Sequence, residues 1–184
     1  MIAPWPTTNS EHLADYRVFT IRRDHKTSPR TGQPHDFFVL DCPDWVNVIA
    51  LTRDRQLIMV EQFRHGTNTV ELEIPGGVMD PGDGSPIATG IRELREETGY
   101  EGETARRLAG VASNPALFSN TCHTILIEHC TLQHPLELDQ TEDVATRLVP
   151  VDEIPALVAT GRIRHSLVVV ALYYFELHRR GLLA

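Results

Sequence analysis

The order of elements written into this 184-residue chain predicts a mixed α/β domain built in layers. Three features carry that expectation. Strand patterns fill most of the first 75 residues, a single charged helix follows, and the chain ends in helical periodicity after a second set of strands. Strands and helices therefore come in runs, not in the strict alternation of a doubly wound parallel sheet. The length suits one domain with a small N-terminal extension, and a hydrophobic share of 41% is enough for a core.

Each element has its own signal. YRVFTIRRD (16–24) alternates like a strand, KTSPRTGQPH (26–35) is a loop by its prolines and glycine, and DFFVLDC (36–42) is a second strand. WVNVIALTR (45–53) and QLIMVEQFR (56–64) form a hairpin about the RDR turn, and VELEIP (70–75) runs into two glycines. Helical spacing starts at Ser85-Pro86, passes through Ile87, Ile91 and Leu94, and stops at Gly99. ARRLAGVAS (105–113), HTILIEHCTL (123–132) and ATRLVPV (145–151) return as strands. VDEIPALVATG (151–161) is a short helix ended by Gly161, and RHSLVVVALYYFELHRR (164–180) is a long one with Arg179 and Arg180 at its negative end.

Charge and cysteine usage narrow the function. A formal net charge of −8 argues against a nucleic-acid binder, which needs a basic face. It leaves anionic small molecules open, because a metal ion or an arginine cluster reverses the sign locally. Cys42, Cys122 and Cys130 are an odd number without a CxxC pair, as expected of reduced thiols in the cytoplasm. The N-terminus lacks the basic start and apolar stretch of a signal peptide, and no apolar run reaches membrane-spanning length.

The charged helix carries the chemistry. A charge-rich helix is ordinarily a solvated face with weak ion pairs such as Arg92 with Glu96. Here Glu93 and Glu97 are four residues apart and share a face, and Glu96 borders it. Three carboxylates so close repel one another unless a cation offsets them, and hard oxygen ligands suit magnesium or manganese. Gly76 and Gly77, directly upstream, allow bare backbone to approach that helix and add a carbonyl ligand.

From Gly77 to Tyr100 the chain resembles the Nudix box: Gly, five residues, Glu, seven residues, Arg-Glu, an aliphatic, any residue, Glu-Glu, any residue, Gly and an aliphatic. Arg92-Glu93-Leu94-Arg95-Glu96-Glu97-Thr98-Gly99 matches the closing half throughout, with Tyr100 in the last, usually apolar, slot. The opening half departs twice. Asp83 stands where the pattern has Glu, and eight residues rather than seven precede Arg92, which makes Gly84 a one-residue insertion.

That resemblance implies a Nudix-type α/β/α sandwich with a mixed sheet over residues 45–184, preceded by a β-rich region at 1–44. It implies a divalent ion, Mg²⁺ or Mn²⁺, held by Glu93, Glu97, Glu96 and the Gly76 carbonyl, with Arg92 orienting the glutamates. DWVNVIALT, VEQFRHG and ELEIPGG before the box, and ELDQTEDVATRLVPVDEI after it, are similar to the ADP-ribose pyrophosphatase and nucleoside diphosphate sugar hydrolase branch. The implied reaction is hydrolysis of a nucleotide sugar to a nucleoside monophosphate and a sugar phosphate. Guanosine or uridine sugars are the alternative substrates, and a binding module that senses ADP-ribose is the non-enzymatic alternative. Arg64 is expected to clamp the diphosphate. Glu71 and Glu73 share a strand face and fit ribose, base or a second metal, with a solvated face equally open for Glu71. Trp45 fits a base-stacking role or a core or interface position. Glu142 is the expected group that activates or positions water, with Glu96 and Asp139 as alternatives. His123 and His165 stay outside the catalytic set. Relatives of this branch imply a homodimer formed through the N-terminal region.

Overall fold

A computed structural model describes residues 1–138 and 143–183. The chain folds as two compact units, one comprising Met1–Asp44 with Ala112–Thr121, the other Trp45–Val111 with Cys122–Ala184. The first unit carries an antiparallel three-stranded sheet of β1 (Thr7–Asp15), β2 (Thr20–Thr27) and β3 (Pro34–Asp41) in sequential order. β1 has no expectation behind it: its TTNSEHLAD sequence is polar and nearly all exposed, so alternation of apolar residues does not reveal it. The strand expected from Tyr16 starts four residues later, at Thr20. Residues 16–19 are instead the hairpin turn, closed by the Tyr16 amide on the Phe19 carbonyl with Arg17 at φ 64°. The loop expected over 26–35 is likewise shorter, because Lys26 pairs with His35 and Thr27 with Pro34 in the ladder.

The second unit holds an eight-stranded mixed sheet. Its main order is β11 (Val144–Pro150), β5 (Gln56–Arg64), β4 (Trp45–Thr52), β10 (Thr121–Leu132) and β8 (Tyr100–Glu101). β6 (Thr69–Glu73) pairs with β5, β7 (Gly76–Val78) with β4, and β9 (Thr104–Ala112) with β10. The β4–β10 pair is parallel, and it makes the sheet mixed. Helix α1 (Pro86–Thr98) covers one face, and α2 (Ile154–Ala159) with α3 (Ser166–Arg179) covers the other.

Strand alternation builds these two layers. Val46, Val48, Ala50, Ile58, Ile125 and Ile127 face Leu94 of α1, while Ile49, Leu57, Met59 and Leu126 face Val168, Leu172 and Phe175 of α3. A strand buried on both sides must be apolar at every position, which explains why IALT and QLIMV read as near-continuous apolar runs. The result is the α/β/α sandwich expected from the sequence.

Helix α1 is fixed at both ends. Ser85 accepts a hydrogen bond from the Ala88 amide at 3.2 Å, and Pro86 occupies the first turn, where its missing N–H costs nothing. Gly99 closes the helix at φ 73°, its amide on the Arg95 carbonyl. No described helix is long and apolar enough to cross a membrane.

Candidate active site

The glycines between β6 and α1 bring the backbone against the helix. A β-carbon at Gly77 would collide with the Glu93 carboxylate, and one at Gly76 with the Val46 carbonyl. The Gly76 amide donates to Glu97 Oε2 at 3.0 Å. Glu93 and Glu97 are both buried, at 7% and 3% exposure, so two carboxylates lie under the glycine strand and away from bulk water.

Arg92 collects the charge of this region. Its Nε donates to Asp83 Oδ1 at 3.0 Å, its Nη1 to Glu96 Oε2 at 2.8 Å, and its Nη2 lies 3.0 Å from Glu93 Oε1. The Nη2 group also reaches Asp83 Oδ2 and the Val78 carbonyl. Asp83 accepts further from the Thr89 hydroxyl and the Asp80 amide. Hydrogen bonding from Arg92 is the main reason that the Asp83 carboxyl is held down to about 2, against the opposing effect of burial. The shorter carboxylate and the extra Gly84 therefore still bring an acidic group to Arg92.

A cleft of about 690 Å³ opens on the other side of the glycine strand. Its wall runs from Glu71 and Glu73 on β6 through Gly76 and Gly77 to Val78, with Trp45 paired opposite Val78 in the ladder. The helix glutamates are not part of the wall; they border it across Gly76 and Gly77. Arg64 grips Glu73 with two bonds of 2.9 Å, and His165 Nδ1 lies 2.8 Å from Glu73 Oε2. Burial alone would raise the Glu73 carboxyl, but hydrogen bonds from His165 and Arg64 outweigh it and hold the group at about 2. Glu71 is also held at about 2, chiefly by hydrogen bonds from Arg164 and then Thr69. Beside Gly76, the buried Nδ2 of Asn47 has no hydrogen-bond partner among the described residues.

The structure gathers Arg64, Glu71, Glu73, Trp45 and Gly76 around one cleft and sets Arg92, Glu93, Glu96 and Glu97 on the adjoining helix. Arg64 lines the cleft while paired to Glu73, rather than standing there without a partner. Glu71 is buried, so the solvated-face alternative is excluded. Glu142 and Asp139 lie outside the described residues. His123 is buried on β10, whereas His165, kept out of the catalytic set, lines the cleft. Sequence reasoning passed over Asn47 and Arg164. Asn47 carries a weak signal, a lone amide in the apolar WVNVIAL run, whereas Arg164 in GRIRHS carries none.

The family described as NUDIX domain matches residues 43–169. The chain belongs to the Nudix family. Among relatives, it is 31% identical over 172 residues to a methanol dehydrogenase activator of Bacillus methanolicus, covering 93% of this chain and 92% of the relative. It is 31% identical over 136 residues to the ADP-ribose pyrophosphatase of Bacillus subtilis (strain 168), 73% of each chain. A crystal structure of an ADP compounds hydrolase superposes with a TM-score of 0.85 at 22% identity, covering 100% of this chain and 99% of that one. That last likeness concerns the fold.

Nudix hydrolases work with divalent metal ions, and the residues of this Nudix helix fit one. Its donors are all carboxylate oxygens, with Glu93 and Glu97 buried, and three acidic groups (Asp83, Glu93, Glu96) crowd around Arg92 while Glu97 stands on the same helix. Such an excess of hard negative oxygen suits a hard cation. Among the described residues no three of these side chains converge on one point as they stand. Glu93 and Glu96 contact Arg92, and Glu97 the Gly76 amide.

Proposed function

We propose that this Nudix protein hydrolyses the pyrophosphate bond of ADP-ribose or a related ADP sugar, releasing AMP and a sugar phosphate, with magnesium or manganese as the ion. The observation that carries this reading is the buried Glu93–Glu97 pair directly behind a glycine strand that walls an arginine-bearing cleft. Glu93, Glu96, Glu97 and the Gly76 carbonyl would hold the ion. When bound, it would offset phosphate charge and lower the pKa of a water molecule. Arg92 keeps Glu93 and Glu96 oriented while Asp83 fixes Arg92 in turn. Arg64, oriented by Glu73, has a guanidinium edge left for a phosphate oxygen, and Asn47, with its unpartnered Nδ2, lines the same cleft. Trp45 would stack on the base. Glu142 accepts the proton of the attacking water or positions it, with Glu96 and Asp139 as the other acids in reach of that role by motif. Guanosine and uridine sugars are the weaker alternatives, because relatives named for ADP compounds support adenosine.

A panel of nucleoside diphosphate sugars with Mg²⁺, scored by phosphate released after phosphatase treatment, tests the reading. ADP-ribose is expected to lead, and no turnover of any member would refute it. Glu142→Gln is expected to lower kcat far more than it raises KM. A change confined to KM would make Glu142 a substrate contact and move the water to Glu96.

Residues 1–44 are proposed as a dimerising region of a cytoplasmic homodimer, with 45–184 as the hydrolase domain. Phe37 and Phe38 are exposed on β3, and Trp5, which precedes β1, is exposed and packs edge-on to Phe37 with centroids 5.4 Å apart. Exposed aromatics on a sheet suit a second copy. Light scattering at micromolar concentration decides it: a fully active monomer would refute the assembly.

A further inference from the structure

The carboxylates of β6 are heavily bonded. Glu71 Oε1 receives the Thr67 hydroxyl at 3.1 Å, the Thr69 hydroxyl at 2.6 Å and Arg164 Nη2 at 2.5 Å, while Oε2 receives Arg164 Nε at 3.0 Å. A carboxylate has about four lone-pair sites, so little remains for a ligand. Glu73 is nearly as full, with Arg64 Nε and Nη2 on separate oxygens and His165 on one of them. Little of either carboxylate is left for the ribose, base or second metal expected from their alternation.

The arginines are in the opposite condition. Each guanidinium is anchored through its Nε edge to a buried carboxylate, and Nη1 of each is outside those bonds. Arg64 and Arg164 side chains are 43% and 53% exposed, against 3% and 8% for their partners. The buried acid thus orients, and the exposed base contacts.

Position along the cleft separates the two. Arg64 is bonded to Glu73 and lies within electrostatic reach of Glu97 of the Nudix helix as well as of Glu71, whereas Arg164 is bonded to Glu71. Two residues of strand put Glu71 roughly 7 Å beyond Glu73. The wall therefore has a polar end at Thr67 and Arg164, a middle at the Glu73-bound guanidinium of Arg64 with Asn47 and Gly76, and an aromatic end at Trp45 and Val78. A diphosphate belongs in the middle, a flat base at the aromatic end and a hydroxyl-rich group at the polar end.

We propose that Arg164 is a specificity-determining residue that hydrogen-bonds the non-nucleotide sugar of a nucleoside diphosphate sugar, and that Glu71 is its positioning residue. This rests on the nucleotide-sugar reading above. Arg164 is expected to leave the diphosphate itself to Arg64.

Two ligands that differ only beyond the diphosphate test it: ADP-ribose as substrate, by initial rates, and ADP as competitive inhibitor. Arg164→Lys keeps a charge for Glu71 but loses the forked edge. It is expected to raise KM for ADP-ribose about tenfold, the loss of one hydrogen bond to a charged donor, with a smaller change in kcat and the same Ki for ADP. Arg64→Lys is expected to weaken both ligands. The double variant Glu71→Gln/Arg164→Met, which leaves no buried charge unpaired, repeats the measurement if the single variant fails to melt cooperatively. Parallel weakening of ADP-ribose and ADP by either Arg164 variant, or unchanged KM for ADP-ribose, would overturn the proposal. If the wild-type protein turns over no nucleotide sugar, the nucleotide-sugar reading fails by itself. Calorimetric binding of ADP-ribose against ADP then judges Arg164 by the same difference.

Discussion

Helix α1 and strand β6 both place acidic side chains beside the same cleft, yet they balance charge in opposite ways. Along α1 and the loop before it, Asp83, Glu93 and Glu96 share the Arg92 guanidinium, with the buried Glu97 on the same helix. On β6, Glu71 and Glu73 are matched by Arg164, Arg64 and His165. The first region holds an excess of negative oxygen and is suited to recruit a cation. The second is near neutrality, and its carboxylates serve to aim donors. A buried charge thus reads as a ligand-binding group only after its partners have been counted.

The largest test of this contrast removes one charge from α1. Glu97→Gln is expected to lower kcat by a factor of about 1,000, the scale of losing a principal electrostatic contact in a site. The protein is expected to stay folded, because the Gln oxygen can still accept from the Gly76 amide and like-charge repulsion along the helix falls. Wild-type turnover in Glu97→Gln, measured with Mg²⁺ at saturation, would remove the helix from the metal site. Arg92→Lys follows in size. A lysine cannot serve Asp83, Glu93 and Glu96 at once, so activity is expected to fall about 10- to 100-fold, as for other groups that orient ligands, with a raised Mg²⁺ requirement.

The same contrast explains what could be read in advance. The α1 region is local: Ser85-Pro86, the i,i+4 glutamates and Gly99 all stand within one segment, and their spacing alone sets the face. The sandwich was legible too, because strands buried on both sides leave apolar runs. β1 was not, since a polar strand leaves no alternation in apolar residues. Arg164 was not, since its partner Glu71 is 93 residues away and only the fold joins them. The partners of Glu71 and Glu73 were not legible for that reason: alternation placed both on one face but said nothing about which cations meet them there.

On β6 the first consequence is in stability. Glu73 sits at about 2 against an ordinary 4.5, so its ionised form is favoured by folding. A depressed carboxyl adds stability that is complete above its unfolded value and lost as pH falls through the folded one. Glu73→Gln is therefore expected to cost about 2 kcal/mol at pH 7, as for hydrogen bonds to a charged group. The difference from wild type should shrink between pH 4.5 and about 2, followed by urea unfolding across that window. A gap that stays constant with pH would mean that the Arg64 and His165 contacts do not depend on the carboxylate charge.

The smallest effect is expected at Thr69. Its hydroxyl donates to Glu71 and accepts from Arg164 Nη2 at 2.9 Å, so Thr69→Val removes one donor from a carboxylate and one acceptor from a guanidinium. The shape is kept and the methyl groups suit a strand. Thr67 and the two Arg164 nitrogens remain on Glu71, so the pair holds its geometry without Thr69. KM for ADP-ribose is expected to rise no more than about threefold, below the effect of a full charged hydrogen bond, with kcat unchanged. The comparison turns on that modesty: an oriented, charge-neutral clamp is over-determined and tolerates the loss of one contact, whereas the helix site does not. A Thr69→Val variant as impaired as Arg164→Lys would show that Arg164 is held by the hydroxyl rather than by the carboxylate, and the parallel drawn between Glu71 and Glu73 would fail.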